Sequence, residues 1–177
     1  MTEVLWHGRG GQGAFTAARL LGEAYALKDS KSFALAFPSF GPERRGAPIR
    51  AFTKLDNKPI GNRSETKKAD FSIFLDDTLF SEEAFNELKQ GGVIILNSKK
   101  PIEDKRVFVI DADSIAEEIL KRPITNTVLL GAFSAVYDGI CIDDVIFAIK
   151  QGMPERLHKR NIEAALAAAK AAEEAFK

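Results

Sequence analysis

Two hydrophobic rhythms alternate along this chain. Short apolar runs read as strands, and longer segments with apolar residues every three or four positions read as amphipathic helices. The first run, Glu3-Val4-Leu5-Trp6-His7, has the β-branched and aromatic bulk of a buried strand. Residues 14–28 follow with Phe15, Ala18, Leu21 and Tyr25 on one helical face, and residues 32–37 then predict a second strand closed by Pro38. From 38 to 48 proline and glycine are too dense for a helix or central strand, so a structured loop is expected. A strand over 49–55 leads through a turn at 56–59 toward a short strand at 60–62, a hairpin that interrupts the βα rhythm.

The rhythm then resumes. Residues 71–75, 93–96 and 106–110 read as buried strands. A helix is expected from about Leu79 to Gln90, stopped by Gly91-Gly92, and another from Ser114, whose spacing to Glu117 matches a capping box, to Lys121. Asn126 or Thr127 caps a helix through Tyr137, Asp143 another through Lys150, and residues 155–177 form a long alanine-rich amphipathic helix. Strands alternating with helices imply one domain over residues 1–177. Its expected fold is α/β and Rossmann-like: three layers, a mostly parallel sheet with helices on both faces, and a β-hairpin insertion.

One stretch falls outside both rhythms. Gly8-Arg9-Gly10-Gly11-Gln12-Gly13 separates the first strand from the first helix. The glycines permit backbone angles closed to other residues, and the first turn of the helix offers unpaired N–H groups at the positive end of the peptide dipoles. An anion, phosphate above all, is stabilised at such a place. The strand ends of a parallel sheet gather along one rim, which here holds the glycine turn, the 38–48 loop, Asp76-Asp77, Asn97-Ser98 and Asp111.

Composition narrows the choices. Twenty-five basic and twenty-five acidic residues cancel, so no global field favours nucleic acid or an anionic membrane. One cysteine permits no internal disulfide and no iron–sulfur cage of the usual four thiolates. Cys141, between Ile140 and Ile142, is expected to be buried, and His7 and His158 lie too far apart in sequence to suggest a metal site. No signal-peptide pattern or apolar run of membrane-spanning length is read, and a soluble, cytoplasmic protein is expected.

Gly8, Gly10 and Gly13 match the dinucleotide fingerprint, but the second strand ends in Phe37-Pro38 where an NAD site wants an acid, and Asp29 precedes that strand. A tight connection without ligand explains the same glycines. Glu43, Arg44 and Arg45, stiffened by Gly41, Pro42, Gly46 and Pro48, form a second candidate, since guanidinium groups suit phosphate or carboxylate; a solvated or subunit-facing charge pair is the alternative. Asp76 and Asp77 read as caps of the following helix. No catalytic constellation follows from local spacing.

The segments Trp6-His7-Gly8-Arg9-Gly10-Gly11-Gln12-Gly13 and 36–52, with Asp76-Asp77-Thr78-Leu79, Asp111-Ala112 and Asn126-Thr127, closely resemble the gamma subunit of the pyruvate (2-oxoacid):ferredoxin oxidoreductases. The resemblance covers nearly the whole chain. It implies a subunit of an enzyme that decarboxylates a 2-oxoacid oxidatively to an acyl-coenzyme A and reduces ferredoxin. Thiamine diphosphate and iron–sulfur clusters would reside in alpha, beta and delta subunits, with no cofactor held by this chain alone. Coenzyme A would be the co-substrate whose phosphates meet Gly8, Arg9, Gly10, Gly11, Gln12 and Gly13 or Glu43, Arg44 and Arg45. Contact with the thiamine-binding subunits would account for the same motif. Two positions depart from the family: related gamma subunits often carry alanine at Gly10 and threonine at Arg45. A dinucleotide enzyme and a non-catalytic docking module remain the competing classes.

Overall fold

Alternation along β1 (Thr2–Arg9) sorts its side chains, Val4 and Trp6 to one side of the sheet and Leu5 and His7 to the other. The computed structural model describes residues 1–39 and 45–176. β1 sits among β2 (Phe33–Pro38), β3 (Pro48–Asp56), β4 (Ala69–Phe74), β5 (Leu88–Asn97) and β6 (Val107–Ile110), in the order β2-β3-β1-β4-β5-β6. β1, β4, β5 and β6 pair in parallel, while β3 runs antiparallel to both β1 and β2. The expected α/β fold with a mostly parallel sheet is therefore present, and its antiparallel hairpin is formed by β2 and β3 rather than by the segments at 49–55 and 60–62.

The two covering layers differ in kind. On the Trp6 side lie α1 (Ala14–Ala26), α2 (Ala112–Ile115, continued as a π-helical turn, Ala116–Leu120), α3 (Asn126–Val136), α4 (Ile142–Gly152) and α5 (Glu155–Phe176). Their small residues, Ala17, Ala132, Ala165 and Ala168 among them, are fully buried against Val4, Trp6, Ile73 and Ile95. Trp6 Nε1 donates to Thr53 Oγ1 at 3.1 Å, and that hydroxyl donates to the Ala18 carbonyl at 2.9 Å, so the polar atoms of these two core side chains are paired. The opposite side is covered by two 3-10 turns, Asp77–Leu79 and Glu82–Glu87, over Phe74, Ile94 and Leu96.

Several expected elements shift for identifiable reasons. The helix expected over 79–90 does not form. Extended backbone at Phe80 and Ser81 folds Phe80 back, its ring 5.6 Å from Phe74 and 6.0 Å from Phe85, and Leu88 already pairs with Ala69 at the start of β5. Gly91 and Gly92 thus lie within β5, where the register to β4 shifts, rather than stopping a helix. No strand forms at 60–62, because β1 and β2 already occupy both edges of β3.

Caps move upstream as well. Asp111 accepts from the Ser114 N–H at 3.0 Å, so α2 starts at Ala112. Cys141 is exposed as the N-cap of α4, with its N–H donating to Asp144 at 2.8 Å, which corrects the expected burial. The chain turns there instead of continuing the apolar run.

Gly131 lets α3 and α5 approach closely. A Cβ at this position would press into the Ala165 carbonyl of α5. Gly131→Ala gains about 1 kcal/mol of helix propensity but meets an overpacking cost of about 1–3 kcal/mol. The expected net result is a lower denaturation midpoint in urea with an unchanged slope; a raised midpoint would show that α3 and α5 separate freely.

Candidate functional site

The pairing of β1 with β4 decides what meets at the rim. Register Val4↔Phe71 through His7↔Phe74 brings the two strands to their carboxyl ends together, and the Leu75 N–H donates to the His7 carbonyl at 2.8 Å. Immediately beyond, the glycine turn and Asp76 stand side by side. Gly13 caps α1 in the left-handed region with φ 83°, and Gly11 has φ 95°. A Cβ at Gly11 would meet nothing within 4 Å, so the turn is open to its surroundings there. Gly13 is packed instead: its Cβ would lie 2.5 Å from Asn126 Nδ2 at the start of α3.

The side chains of the turn are committed inward. Gln12 Oε1 accepts from the Arg9 N–H at 2.7 Å, while Gln12 Nε2 and Arg9 Nε donate to Asp76 Oδ2 at 3.0 and 3.2 Å. Arg9 also donates to Thr78 Oγ1 at 2.8 Å and the Gly46 carbonyl at 3.2 Å. Burial works against the charged form of Asp76, but hydrogen bonds from Thr78 and Gln12 and the Arg9 guanidinium hold its carboxyl below the usual range. What remains for an anion is the backbone. The first N–H groups of α1, at Ala14 to Thr16, have no acceptor within the helix, and they carry its positive dipole end.

The second candidate comes to the same place. Gly10 bridges Arg45: its N–H donates to the Ala47 carbonyl at 2.9 Å, and its carbonyl accepts from the Gly46 N–H at 3.0 Å. Arg45 is exposed beside the turn, so two motifs separated by three dozen residues in sequence share one site. Glu43 and Arg44 lie outside the described residues. The neighbouring strand ends are fastened too, with Asn97 Nδ2 donating to the Leu75 carbonyl and Asp113 at 3.0 Å each, and Ser98 Oγ donating to Asp77 at 2.9 Å.

Below the rim, on the face away from the α-helices, His7, Arg50, Phe74, Ala84 and Glu87 line a cavity of about 490 Å³. The His7 ring stacks on Phe74 at 4.1 Å, and its Nε2 lies 3.0 Å from Glu87. That contact falls short of hydrogen-bond alignment. His7, with burial opposing and Arg50 assisting, holds the Glu87 carboxyl below its ordinary value.

Sequence reading placed the turn and the rim but missed the Asp76 clamp and the Glu87 contact. Asp76 was visible as a strand end. Its partners depend on which strands are neighbours, and no local spacing encodes that.

The dinucleotide alternative loses its geometry. In a Rossmann site the second strand lies beside the first, with its acid over the ribose; here β3 separates β2 from β1. Asp29 is turned to the Lys31 N–H and Ser32 hydroxyl in the turn ahead of β2.

Comparison with known proteins supplies the family. Residues 3–175 match the pyruvate ferredoxin/flavodoxin oxidoreductase family. The chain is 45% identical over 168 residues to the pyruvate synthase subunit PorC of Methanothermobacter thermautotrophicus, covering 93% of this chain and 92% of the relative. It is 41% identical over 186 residues to the pyruvate/ketoisovalerate oxidoreductases common subunit gamma of Thermococcus litoralis, covering 99% and 96%. The crystal structure of pyruvate oxidoreductase subunit PORC from Thermotoga maritima superposes with a TM-score of 0.80 at 32% identity, over 96% of this chain and 95% of that one. With its open glycine turn at the rim of a mixed α/β sheet, the chain belongs to the pyruvate ferredoxin/flavodoxin oxidoreductase family, as a subunit of the gamma type.

Proposed function

We propose that this gamma subunit receives coenzyme A for a multi-subunit 2-oxoacid:ferredoxin oxidoreductase, with pyruvate the leading substrate. The enzyme converts the 2-oxoacid and coenzyme A to acyl-CoA and CO2, and the two electrons released pass to ferredoxin. The observation that carries the chain's own share is the open, positive-φ turn at Gly11, joined to the N-terminus of α1 and to Arg45. Backbone N–H groups and a helix N-terminus favour the diphosphate of coenzyme A, and Arg44 and Arg45 add charge-assisted bonds.

An iron–sulfur cluster does not fit this chain. Its single cysteine is exposed at a helix cap, against the four thiolates a cluster needs. Among the described residues no group of His, Cys, Asp and Glu side chains is arranged to hold a metal ion. Thiamine diphosphate, which stabilises the carbanion left by decarboxylation, and the iron–sulfur relay are assigned to the alpha, beta and delta subunits. No helix among the described residues is long and apolar enough to cross a membrane.

Kinetics of the assembled oxidoreductase test this reading. Gly11→Val forces a β-branched residue into φ 95°, where the side chain crowds its own backbone, while a Cβ there meets no other residue within 4 Å. Strain of roughly 1–3 kcal/mol is expected to raise KM for coenzyme A about tenfold, leaving KM for the 2-oxoacid unchanged. Arg44→Ala and Arg45→Ala, each removing a charge-assisted bond, are expected to raise the same constant several-fold. An unchanged coenzyme A KM in the glycine variant removes the turn from the site, and unchanged values in both arginine variants remove the guanidinium contacts.

A further inference from the structure

Asp76 lies far from the glycine turn in sequence, yet the turn is fastened to it. Its Oδ2 accepts from Arg9 Nε at 3.2 Å and Gln12 Nε2 at 3.0 Å, and its Oδ1 accepts from the Thr78 N–H at 3.0 Å and from the Thr78 hydroxyl. Four donors therefore converge on one carboxylate, which is close to its full accepting capacity. Gln12 closes the loop by accepting from the Arg9 N–H at 2.7 Å. Arg9 in turn ties the clamp to the Gly46 carbonyl, and so to the segment carrying Arg45.

We propose that Asp76 is the positioning residue of the anion site: by holding Arg9 and Gln12 it fixes the turn so that the backbone N–H groups of Gly11 and Gly13, with those that open α1, stay available at the rim, while those of Gly10 and Gln12 are held by Ala47 and Arg9. The proposal rests on the reading that the turn receives coenzyme A. Glycine-rich backbone loses the most freedom on being ordered, so a turn left slack would have to be ordered at each binding event. The clamp removes that cost beforehand. Arg9 also neutralises Asp76, which lets a carboxylate stand beside an anion site without repelling its ligand.

The sign of the effect separates positioning from bare charge. If Asp76 acted on coenzyme A only as a nearby negative charge, its removal would lower KM. Positioning predicts the reverse. In the assembled oxidoreductase, Asp76→Ala is expected to raise KM for coenzyme A about tenfold, the effect of losing charged hydrogen bonds. The turnover number at saturating coenzyme A and KM for the 2-oxoacid should stay unchanged. Gln12→Ala, which spares the Arg9–Asp76 pair, is expected to raise it about three- to tenfold by the loss of its bond to the Asp76 carboxylate and of the one it accepts from the Arg9 N–H, and serves if Asp76→Ala fails to assemble. Amide exchange over residues 9–13 should quicken in both variants.

A coenzyme A KM that is unchanged or lowered in both, while Gly11→Val raises it, overturns the positioning role alone. If Gly11→Val also leaves it unchanged, the turn is not the coenzyme A site and both readings fall.

Discussion

Parallel pairing of β1 with β4 is the constraint on which the rest of this structure depends. It aligns His7 with Phe74, and the next residues of each strand then emerge together at the rim. The glycine turn leaves from one strand and Asp76 from the other. Without that pairing the turn has no anchor, α1 has no fixed starting point, and the cavity lined by His7, Phe74 and Glu87 loses part of its wall. The helices on the Trp6 side fix the pairing from behind, since Val4, Trp6 and Ile73 are all fully buried against them.

Antiparallel β3 is the second organising feature. By lying between β1 and β2 it moves the second strand one position outward and brings the 45–47 segment beside Gly10. A chain that resembles a dinucleotide fold at its first turn thereby loses the neighbour that fold requires and gains an arginine-bearing segment in its place. The family assignment and this topology both point away from a nicotinamide dinucleotide site.

Much of this was legible in the sequence because the relevant signals are local. The apolar runs at 3–7, 71–75 and 93–96 and the periodic helices 14–28 and 155–177 all formed, with ends displaced by a few residues. What failed was decided by tertiary contact. Residues 79–90 have the length of a helix, but extended backbone at Phe80 places its ring against both Phe74 and Phe85. Cys141 sits in an apolar triplet, yet it caps α4 in the open. At the site, glycines announced the turn by type, whereas Asp76 announced nothing beyond the end of a strand. Its meaning lies in Arg9 and Gln12, more than sixty residues away in sequence.

A structure of the assembled oxidoreductase with coenzyme A bound tests the central claim most directly. The account predicts diphosphate oxygens about 3 Å from backbone N–H groups within residues 10–16, with Arg9 and Gln12 still on Asp76. A diphosphate held wholly by other subunits, with the glycine turn covered by protein alone, would contradict it.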